Sequence, residues 1–301
     1  MKEKYHIISD GSCDLPRELA EEKNITVVSF YVSFDDENYL KENVDIGIRD
    51  FYQQMVERKG VYPKSSMPSA QDYVEVFLPY AREGIPVICI CITTKFSGSM
   101  QSALSARGIV RESCPEAEIT VIDATVNTVL QGLYVLEAVA LRDSGMEYKA
   151  AVARLEEIRR TGRIFFTVGD MEYLKHGGRI GKVSAVAGSV LGIRPVITLK
   201  EGEIFPSGIG RGRKRTTEKA IDLLLDYLEE NGRRMERFSL CIGFGYDYQE
   251  AVEFREHTLE RLQEKGYSVD KDMLPIYQIG ATISVHTGPY PLGFGIIEKG
   301  L

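Results

Sequence analysis

The sequence feature that most constrains the fold is a pattern that occurs three times before residue 150. Each time, a short apolar run ends in a polar loop, and a segment with helical periodicity follows. The apolar runs are "YHIISD", "IPVICICI" and "ITVIDA", and the helical segments are "LPRELAEEKN", "SMQSALSARGIVRES" and "VLQGLYVLEAVALRDSG". Strands buried on both faces are apolar along their length, and helices between them connect parallel neighbours. The pattern therefore predicts an α/β domain with a parallel sheet over residues 1–155.

The second half of the chain has a mixed pattern, which predicts an α+β domain with a mixed sheet over residues 156–301. The segment "IRPVITLKEGEIFPSG" predicts a β-hairpin with Glu201 and Gly202 in its turn. Further strands are predicted at "RIFFTVGD", "RFSLCIGFGY" and "ISVHTGPYPLGFGIIEKG", and helices at "MEYLKHG", "KRTTEKAIDLLLDYLEENG" and residues 249–265. The small residues of segment 184–192 either let two elements pack closely or leave room for an apolar ligand.

Neutral hydroxyl groups are concentrated where the predicted parallel strands end. Residues 93–102 carry five Ser or Thr hydroxyls, without a Cys, His or carboxylate among them. Ligands bind at this edge of a parallel sheet, because the following helices direct free backbone N–H groups towards it. Helix capping explains part of the polarity, since Asp14 and Ser97 are each predicted to cap a helix. Capping does not explain Ser65 and Ser66, for which a structural or a ligand-binding role stays open.

The composition is typical of a globular chain from a reducing compartment. Of the 301 residues 44% are hydrophobic, yet no apolar run approaches the roughly 18 residues of a membrane span. The polar start has no signal-peptide core, so we expect a cytoplasmic protein without stable membrane insertion. Five cysteines without C-x-x-C spacing indicate reduced, packed thiols and no metal site. The net charge of −7 argues against nucleic-acid binding, although "GRGRKR" is a basic cluster that suits a solvated turn or an acidic partner.

Six ordered segments between residues 7 and 297 resemble the signature segments of the DegV family. They are "ISDGSCDLP", "SSMPSAQDYVEVF", "ITTKFSGSMQSA", "TVIDATVNTVLQGLYV", "MEYLKHGGRIGKVSAVAGSVLGIRPVITLKEGEI" and "VHTGPYPLGFGII". The resemblance implies a two-domain DegV-like fold that binds one long-chain fatty acid between the domains. It also implies a carrier that does no bond chemistry and presents the fatty acid carboxylate to a separate ATP-dependent fatty acid kinase. That kinase would make acyl phosphate for phospholipid synthesis, and no cofactor other than the bound fatty acid is implied.

The candidate ligand-binding residues share a predicted place near the fatty acid carboxylate; they are Ser65, Ser97, Gly98, His286, Thr94, Arg179 and Arg211. In the resemblance, Ser65 and Ser97 supply hydroxyl groups and Gly98 supplies a backbone N–H. The sequence pattern places His286 at the end of a strand, where a lone histidine is usually a hydrogen-bonded corner residue. Arg179 and Arg211 are candidates either for the carboxylate or for the surface that meets the kinase.

Three positions near the predicted site depart from the family pattern. Ser65 stands where Thr is usual and keeps the hydroxyl donor. Met67 replaces a usual Gln, and Tyr290 replaces a usual Gly. Both replacements add bulk near the site, so the resemblance does not determine which acyl chain length or degree of unsaturation is preferred.

Simple energetics favour the fatty acid hypothesis. At about 0.8 kcal/mol per buried CH₂, a chain of about 16 carbons contributes on the order of 10 kcal/mol gross, which requires an enclosed apolar tunnel. Neutral donors hold the carboxylate and leave an oxygen reactive, whereas a bidentate Arg occupies both oxygens. The alternative is an enzyme acting on a small phosphorylated or acyl substrate at the same inter-domain cleft. The glycine-rich segments match neither a P-loop nor the full G-x-G-x-x-G context.

Overall fold

The computed structural model of the protein describes residues 4–186 and 193–301. In these ranges the strands are β1 (His6–Asp10), β2 (Ile25–Val28), β3 (Tyr31–Ser33), β4 (Leu40–Lys41), β5 (Lys64–Ser66), β6 (Val87–Cys91), β7 (Ile119–Asp123), β8 (Arg163–Thr167), β9 (Ile193–Lys200), β10 (Glu203–Arg211), β11 (Phe238–Phe244), β12 (Ile276–Gln278) and β13 (Leu292–Glu298). The helices of the same ranges are α1 (Arg17–Glu22), α2 (Ile48–Glu57), α3 (Ala70–Glu83), α4 (Ser99–Ser113), α5 (Thr128–Asp143), α6 (Tyr148–Ile158), α7 (Glu172–His176), α8 (Arg213–Glu230), α9 (Tyr248–Glu264) and α10 (Ala281–Thr287).

The N-terminal sheet is parallel, as the three apolar runs predict. Its strand order is β2-β1-β6-β7, and each neighbouring pair runs parallel. Strands β1 and β6 are buried along their whole length. Both faces are buried because α3 and α4 cover one face of the sheet and α5 covers the other. The carboxyl ends of β1, β6 and β7 therefore meet at one edge, where the hydroxyl-rich loop begins.

A small second sheet, which was not predicted, is formed by residues that fall between β2 and α3 in the chain. Strand β3 pairs antiparallel with β4 and with β5, which places Val32 opposite Ser65. Helices α2 and α10 pack beside this sheet through Phe51, Met55 and Val285. Because β5 is three residues long and carries no apolar side chain, its sequence has no strand signal.

The C-terminal sheet is mixed, as predicted, with the strand order β10-β9-β8-β13-β11-β12. Strands β11 and β12 run parallel, and the other neighbours run antiparallel. The hairpin of β9 and β10 is confirmed, and its turn residues Glu201 and Gly202 have φ angles of 53° and 85°, as a two-residue turn of this kind requires. Helices α8 and α9 cover one face of the sheet, and α5 packs against β11 and β13 on the other.

The α/β fold class is confirmed, with a parallel N-terminal sheet and a mixed C-terminal sheet. The predicted domain boundary at residue 155 lies inside α6, near its C-terminal end. One hydrophobic cluster extends across α5 from Ile7 of the first sheet to Ile297 of the second. The hairpin turn also reaches the first sheet, since the Gly202 N–H donates to the Thr125 carbonyl at 2.8 Å. The division into two domains stays a prediction.

The predicted cap at Asp14 is wrong. Helix α1 begins at Arg17, with Pro16 in the N-cap position and no side-chain cap. Asp14 is instead buried, with a φ of 51°, so its carboxyl group turns into the molecule rather than towards the helix. The small residues of segment 184–192 are predicted either to pack closely or to leave room for an apolar ligand, and residues 187–192 lie outside the described residues.

The predicted place of His286 at the end of a strand is also wrong, because His286 lies in helix α10. The β-branched residues of this segment favour a strand. A distant carboxylate overrides this preference: Glu42 accepts hydrogen bonds from the N–H groups of Ala281 and Thr282, which satisfies the start of a helix. Since that contact joins residues 239 positions apart, local sequence reasoning could not find it.

Candidate functional site

A cavity of about 290 Å³ lies between the edge of the N-terminal sheet and the C-terminal sheet. Most of its lining side chains are apolar; they are Phe30, Met67, Ile92, Phe96, Val129, Ile164, Phe166, Leu174, Leu199, Ile204, Ile279, Ile283, Pro291, Leu292 and Phe294. The polar lining residues are Ser65, Ser66, Ser97, Asn127, Thr128, Arg179, Thr282, His286 and Thr287. The two halves of the chain therefore enclose an apolar space that has a limited set of polar groups in its wall.

Two of the predicted residues, Ser65 and His286, are in direct contact. Ser65 Oγ lies 3.2 Å from His286 Nε2, which is a hydrogen-bond distance. Strand β5 holds Ser65 opposite Val32, and α10 packs against the same small sheet. The fold thus brings together two polar side chains that are 221 positions apart in the sequence.

The loop that carries Ser97 and Gly98 is anchored by a buried carboxylate, Asp10. At 2.7 to 2.9 Å, Asp10 accepts hydrogen bonds from four groups, which are Ser12 Oγ, the Ile92 N–H, Ser99 Oγ and Gln131 Nε2. Burial raises the pKa of Asp10, and these donors act in the opposite direction. Because Ser99 is the first residue of α4, the network determines where this helix begins.

Ser97 and Gly98 lie at the start of α4 with donors available. The Ser99 N–H donates to Ser97 Oγ at 3.2 Å, which leaves the Ser97 hydroxyl hydrogen without a protein acceptor in the described part of the chain. The Gly98 N–H likewise has no protein acceptor among the described residues. The N-terminus of a helix of 15 residues adds a partial positive charge at this point. These groups suit a small anionic group such as a carboxylate.

Arg179 lines the cavity, but its guanidinium is largely occupied by backbone carbonyls. Its Nε and Nη2 donate to the Phe96 carbonyl at 3.2 and 3.1 Å, and its Nη1 donates to the Gly177 carbonyl at 2.7 Å. Arg179 therefore links the segment after α7 to the loop that precedes Ser97. Its positive charge lies near the cavity, but most of its N–H groups donate to backbone carbonyls.

His286 is electrically neutral at pH 7. Burial is the main cause that lowers the pKa of His286 to about 4, and the nearby Arg179 guanidinium lowers it further. The Nδ1 atom is packed against Gly177 and makes no hydrogen bond of normal geometry within the described residues. The imidazole thus contributes a polar but uncharged group beside Ser65.

The structure does not bring Thr94 or Arg211 to the cavity. The exposed Thr94 donates through Oγ1 to Asp123 Oδ2 at 2.6 Å, at the neighbouring strand end, and it is not part of the cavity wall. Arg211 ends β10 on the exposed surface, also away from the wall. The predicted carboxylate contacts of Ser65, Ser97, Gly98, His286 and Arg179 remain predictions, although these five residues do line one cavity.

Thr282 and Thr287 belong to the polar wall, although neither residue was among the predicted site residues. Both lie in α10, where residues 282, 283, 286 and 287 share one face. Reading the segment with a helical period would have grouped them with His286. The signal was present, but the strand interpretation assigned the wrong period to it.

Within residues 4–186 and 193–301, no helix combines the length and the hydrophobicity that a membrane crossing requires. In the same ranges, no three His, Cys, Asp or Glu side chains come close enough together to hold a metal ion. The arrangement offers apolar contact, hydroxyl and N–H donors and one neutral imidazole. These groups can bind and orient a ligand.

The fold and the cavity define an α/β protein with an apolar cavity that has a limited set of polar groups in its wall. Family comparison agrees, since the family model described as "Uncharacterised protein, DegV family" matches residues 4–299. The chain belongs to the DegV family.

Its relatives include both curated and solved proteins. The DegV domain-containing protein CPE0026 of Clostridium perfringens is 30% identical over 288 residues, which cover 95% of this chain and 94% of the relative. A solved protein from Eubacterium ventriosum, described as a fat acid (stearic acid)-binding protein, is 41% identical with a TM-score of 0.92, covering 98% and 99% of the two chains. A DegV family protein from Thermus thermophilus, whose structure is described by its fatty acid binding, is 28% identical with a TM-score of 0.86 and covers 98% and 99%.

Proposed function

We propose that the protein binds one long-chain fatty acid in the cavity, with the carboxylate near Ser65, Ser97 and the Gly98 N–H. The observation that carries this proposal is the cavity itself, an apolar space with neutral donors in its wall. The stearic acid-binding relative from Eubacterium ventriosum supports the ligand class, because it shares this fold over nearly the whole length of both chains.

The size of the cavity suits an acyl chain. The cavity volume of about 290 Å³ is close to the roughly 300 Å³ at which the range of ligand pockets begins. Each CH₂ of a fatty acid of about 16 carbons contributes about 0.8 kcal/mol when it is buried.

The electrostatics suit a carboxylate that must stay reactive. Hydroxyl groups, a backbone N–H and a helix N-terminus stabilise a negative charge without a full positive charge. Arg179 contributes a more distant charge, because its nearest donors are bonded to the Phe96 and Gly177 carbonyls. One oxygen of the head group would therefore stay open to a second protein.

We further propose that the protein is a carrier, and that a separate ATP-dependent fatty acid kinase converts the presented carboxylate to acyl phosphate for phospholipid synthesis. This step would take place in the cytoplasm, where ATP is available, and the free thiols of the five cysteines suit a reducing compartment. Arg211 is a candidate for the kinase surface, since it is exposed and lies outside the cavity.

The alternative, an enzyme acting on a small phosphorylated or acyl substrate, would need an activated nucleophile. Ser65 and His286 are the nearest approach to such a pair. With its pKa lowered to about 4, His286 is a weak base at pH 7. Its Nδ1 has no carboxylate to orient it in the described part of the chain. The geometry therefore favours binding over hydrolysis.

Solvent extraction of the purified protein, followed by mass spectrometry, tests the binding proposal. We expect long-chain fatty acid in near-stoichiometric amount. A protein that is empty after purification, binds no added fatty acid and shows esterase turnover would support the alternative instead.

A charge reversal tests the carrier role. The variant Arg211→Glu/Arg215→Glu should keep its fatty acid and lower the rate of acyl phosphate formation by an added kinase on the order of tenfold. Arg213 is left unchanged, because it pairs with Glu250 at 2.6 and 2.8 Å and holds α8 to α9. Loss of the bound fatty acid, or an unchanged kinase rate, would contradict this assignment of the surface.

A further inference from the structure

Asp14 and Glu42 are buried carboxyl groups that approach each other at the start of α10. A Cβ built on Gly280 would overlap both Asp14 Oδ1 and Glu42 Oε1, so the two oxygens border the same small volume. The Gly280 N–H faces the Asp14 carboxyl. Even so, Asp14 Oδ1 is buried without a hydrogen-bond partner of normal geometry among the described residues. Two carboxylates this close in a buried place cannot both be ionised.

The surroundings of this pair are acidic or uncharged. The titratable groups that face it are Asp10 and Cys13 on one side and Tyr52 of α2 on the other. Within the described residues neither carboxyl group forms an ion pair with a Lys, Arg or His. Burial and the mutual repulsion of the acids therefore have no cation to offset them, and both effects raise the pKa of Asp14 well above its ordinary value.

The hydrogen-bond donors are divided unequally between the two groups. Glu42 accepts from the Ala281 N–H at 2.5 Å, from the Thr282 N–H at 3.3 Å and from Thr282 Oγ1 at 2.6 Å. Asp14 accepts from Thr128 Oγ1 at 2.6 Å through its other oxygen, Oδ2, and the Gly280 N–H is the second donor that faces it. A carboxyl group with more donors is stabilised in its ionised form. The negative charge therefore belongs on Glu42, and the proton belongs on Asp14.

We propose that Asp14 and Glu42 share one proton, held on Asp14, and that this pair positions α10 against the N-terminal half of the chain. The hydroxyls of Thr128 and Thr282 donate to the pair, and both residues line the cavity. The same helix carries His286. Loss of the proton would place a second negative charge at the start of α10 and displace this part of the wall. The effect on ligand release rests on the proposed fatty acid binding, whereas the proton itself does not.

Infrared spectroscopy tests the proton without any ligand. The wild-type protein at neutral pH should show the C=O stretch of a protonated carboxylic acid, which shifts in D₂O. The variant Asp14→Asn should lose that band, because the amide is nearly isosteric and keeps a donor for Glu42 but cannot titrate. The spectrum of Asp14→Asn would refute the shared proton if the band persisted at full intensity.

The pH profile of fatty acid release tests the positioning role. From neutral to alkaline pH, the dissociation rate of the wild type should rise about tenfold as the infrared band disappears, and that of Asp14→Asn should stay flat. If the variant loses the band but keeps the same pH profile, the proton is confirmed and the positioning role is refuted. If Asp14→Asn does not fold, the wild-type protein alone provides the test. Its fatty acid release and its loss of the infrared band must then occur over the same pH range, and different ranges would refute the positioning role.

The experiments distinguish a failure of the proposed fatty acid binding from a failure of the shared-proton proposal. If neither protein binds fatty acid, the infrared comparison still holds, and urea unfolding replaces the release assay. In the native state Asp14 binds more protons than in the unfolded chain, so wild-type stability should fall as pH rises through the native pKa. The Asp14→Asn variant should lack this fall, and equal slopes for the two proteins would refute the proposal.

Discussion

The apolar and polar parts of the cavity wall are built in different ways. Six of the fifteen apolar side chains, but none of the polar ones, come from strands of the C-terminal sheet. Two of them, Ile164 and Leu199, are paired in register on β8 and β9. Six of the nine polar side chains come from a three-residue strand, a loop and a seven-residue helix, among them Ser65, Ser97 and His286. In the proposed complex these strands give the fatty acid tail a fixed surface, whereas the short elements depend on distant contacts for their position.

This difference separates affinity from orientation. Apolar burial contributes about 0.8 kcal/mol for each CH₂ and adds up along the chain. A hydrogen bond to a charged head group contributes about 1.5 to 3 kcal/mol net and acts once. We therefore expect changes in the apolar part to alter affinity in proportion to chain length. Changes in the polar part should act on the carboxylate alone.

Filling the apolar part should have the largest effect. Ile164→Trp would occupy space now available to about four methylenes and weaken binding of a long-chain fatty acid by about 3 kcal/mol, or on the order of a hundredfold. Affinity is measured by displacement of a fluorescent fatty acid, and urea unfolding confirms the fold. Ile164→Val is the control and should bind the same ligand nearly as well as the wild type. Equal losses for short and long acyl chains would contradict the assignment of this region to the tail.

Removing one head-group hydroxyl should have the next largest effect. Ser65→Ala and Ser97→Ala should each weaken binding by about 1 to 3 kcal/mol, because the buried carboxylate loses a donor. The methyl ester of the same acid should show a much smaller difference. Thr94→Ala is the matched control, since Thr94 Oγ1 is bonded to Asp123 outside the cavity wall. The head-group assignment fails if both serine variants bind like the wild type, or if Thr94→Ala is equally weakened.

The contrast between regular strands and short elements also explains which features the sequence could predict. The parallel sheet and the β9–β10 hairpin follow from local patterns, namely continuous apolar runs and the turn residues Glu201 and Gly202. The hydroxyl-rich loop contributes Ser97 to the cavity wall, whereas Thr94, which was also a candidate, is not part of that wall. Thr94 turns away because the neighbouring strand end supplies Asp123 as an acceptor. Strand β5 depends on pairing with β3, and no local signal reports such a partner.

Helix α10 shows most clearly what prediction from local sequence misses. Its β-branched residues favour a strand, and it becomes helical where Glu42, 239 positions away, accepts the first N–H groups. The resemblance to the DegV family named His286 as a candidate, and His286 does line the cavity in spite of the wrong secondary structure. Family signatures record tertiary contacts that single-sequence periodicity does not contain.

Acidification should reveal the buried state of His286. Its native pKa of about 4 lies below the ordinary 6.5, so the unfolded chain binds more protons between these two values. Stability should therefore fall as pH decreases through this window, with a slope of up to about 1.4 kcal/mol per pH unit. Urea unfolding of His286→Gln should show a shallower fall, and His257→Gln on the exposed surface serves as the control. If the free energy of unfolding depends on pH in the same way in the wild type and in His286→Gln, the imidazole is exposed to solvent and the prediction is wrong.

Replacing Met67, which lies at the border between the apolar and polar parts of the cavity wall, should have the smallest effect on fatty acid binding. It is 45% exposed and lines the cavity, and its Sδ lies against Gly98, where an added Cβ would be 2.8 Å away. Met67→Ala should uncover the head group and speed fatty acid dissociation about threefold, or roughly 0.7 kcal/mol. Tyr290→Ala is a matched control, because Tyr290 is similarly exposed at 38% but packs against Gly169 outside the cavity wall. A faster release in Tyr290→Ala alone would show that bulk outside the wall controls exchange. A change confined to Met67→Ala would assign that control to the residue that covers the donors.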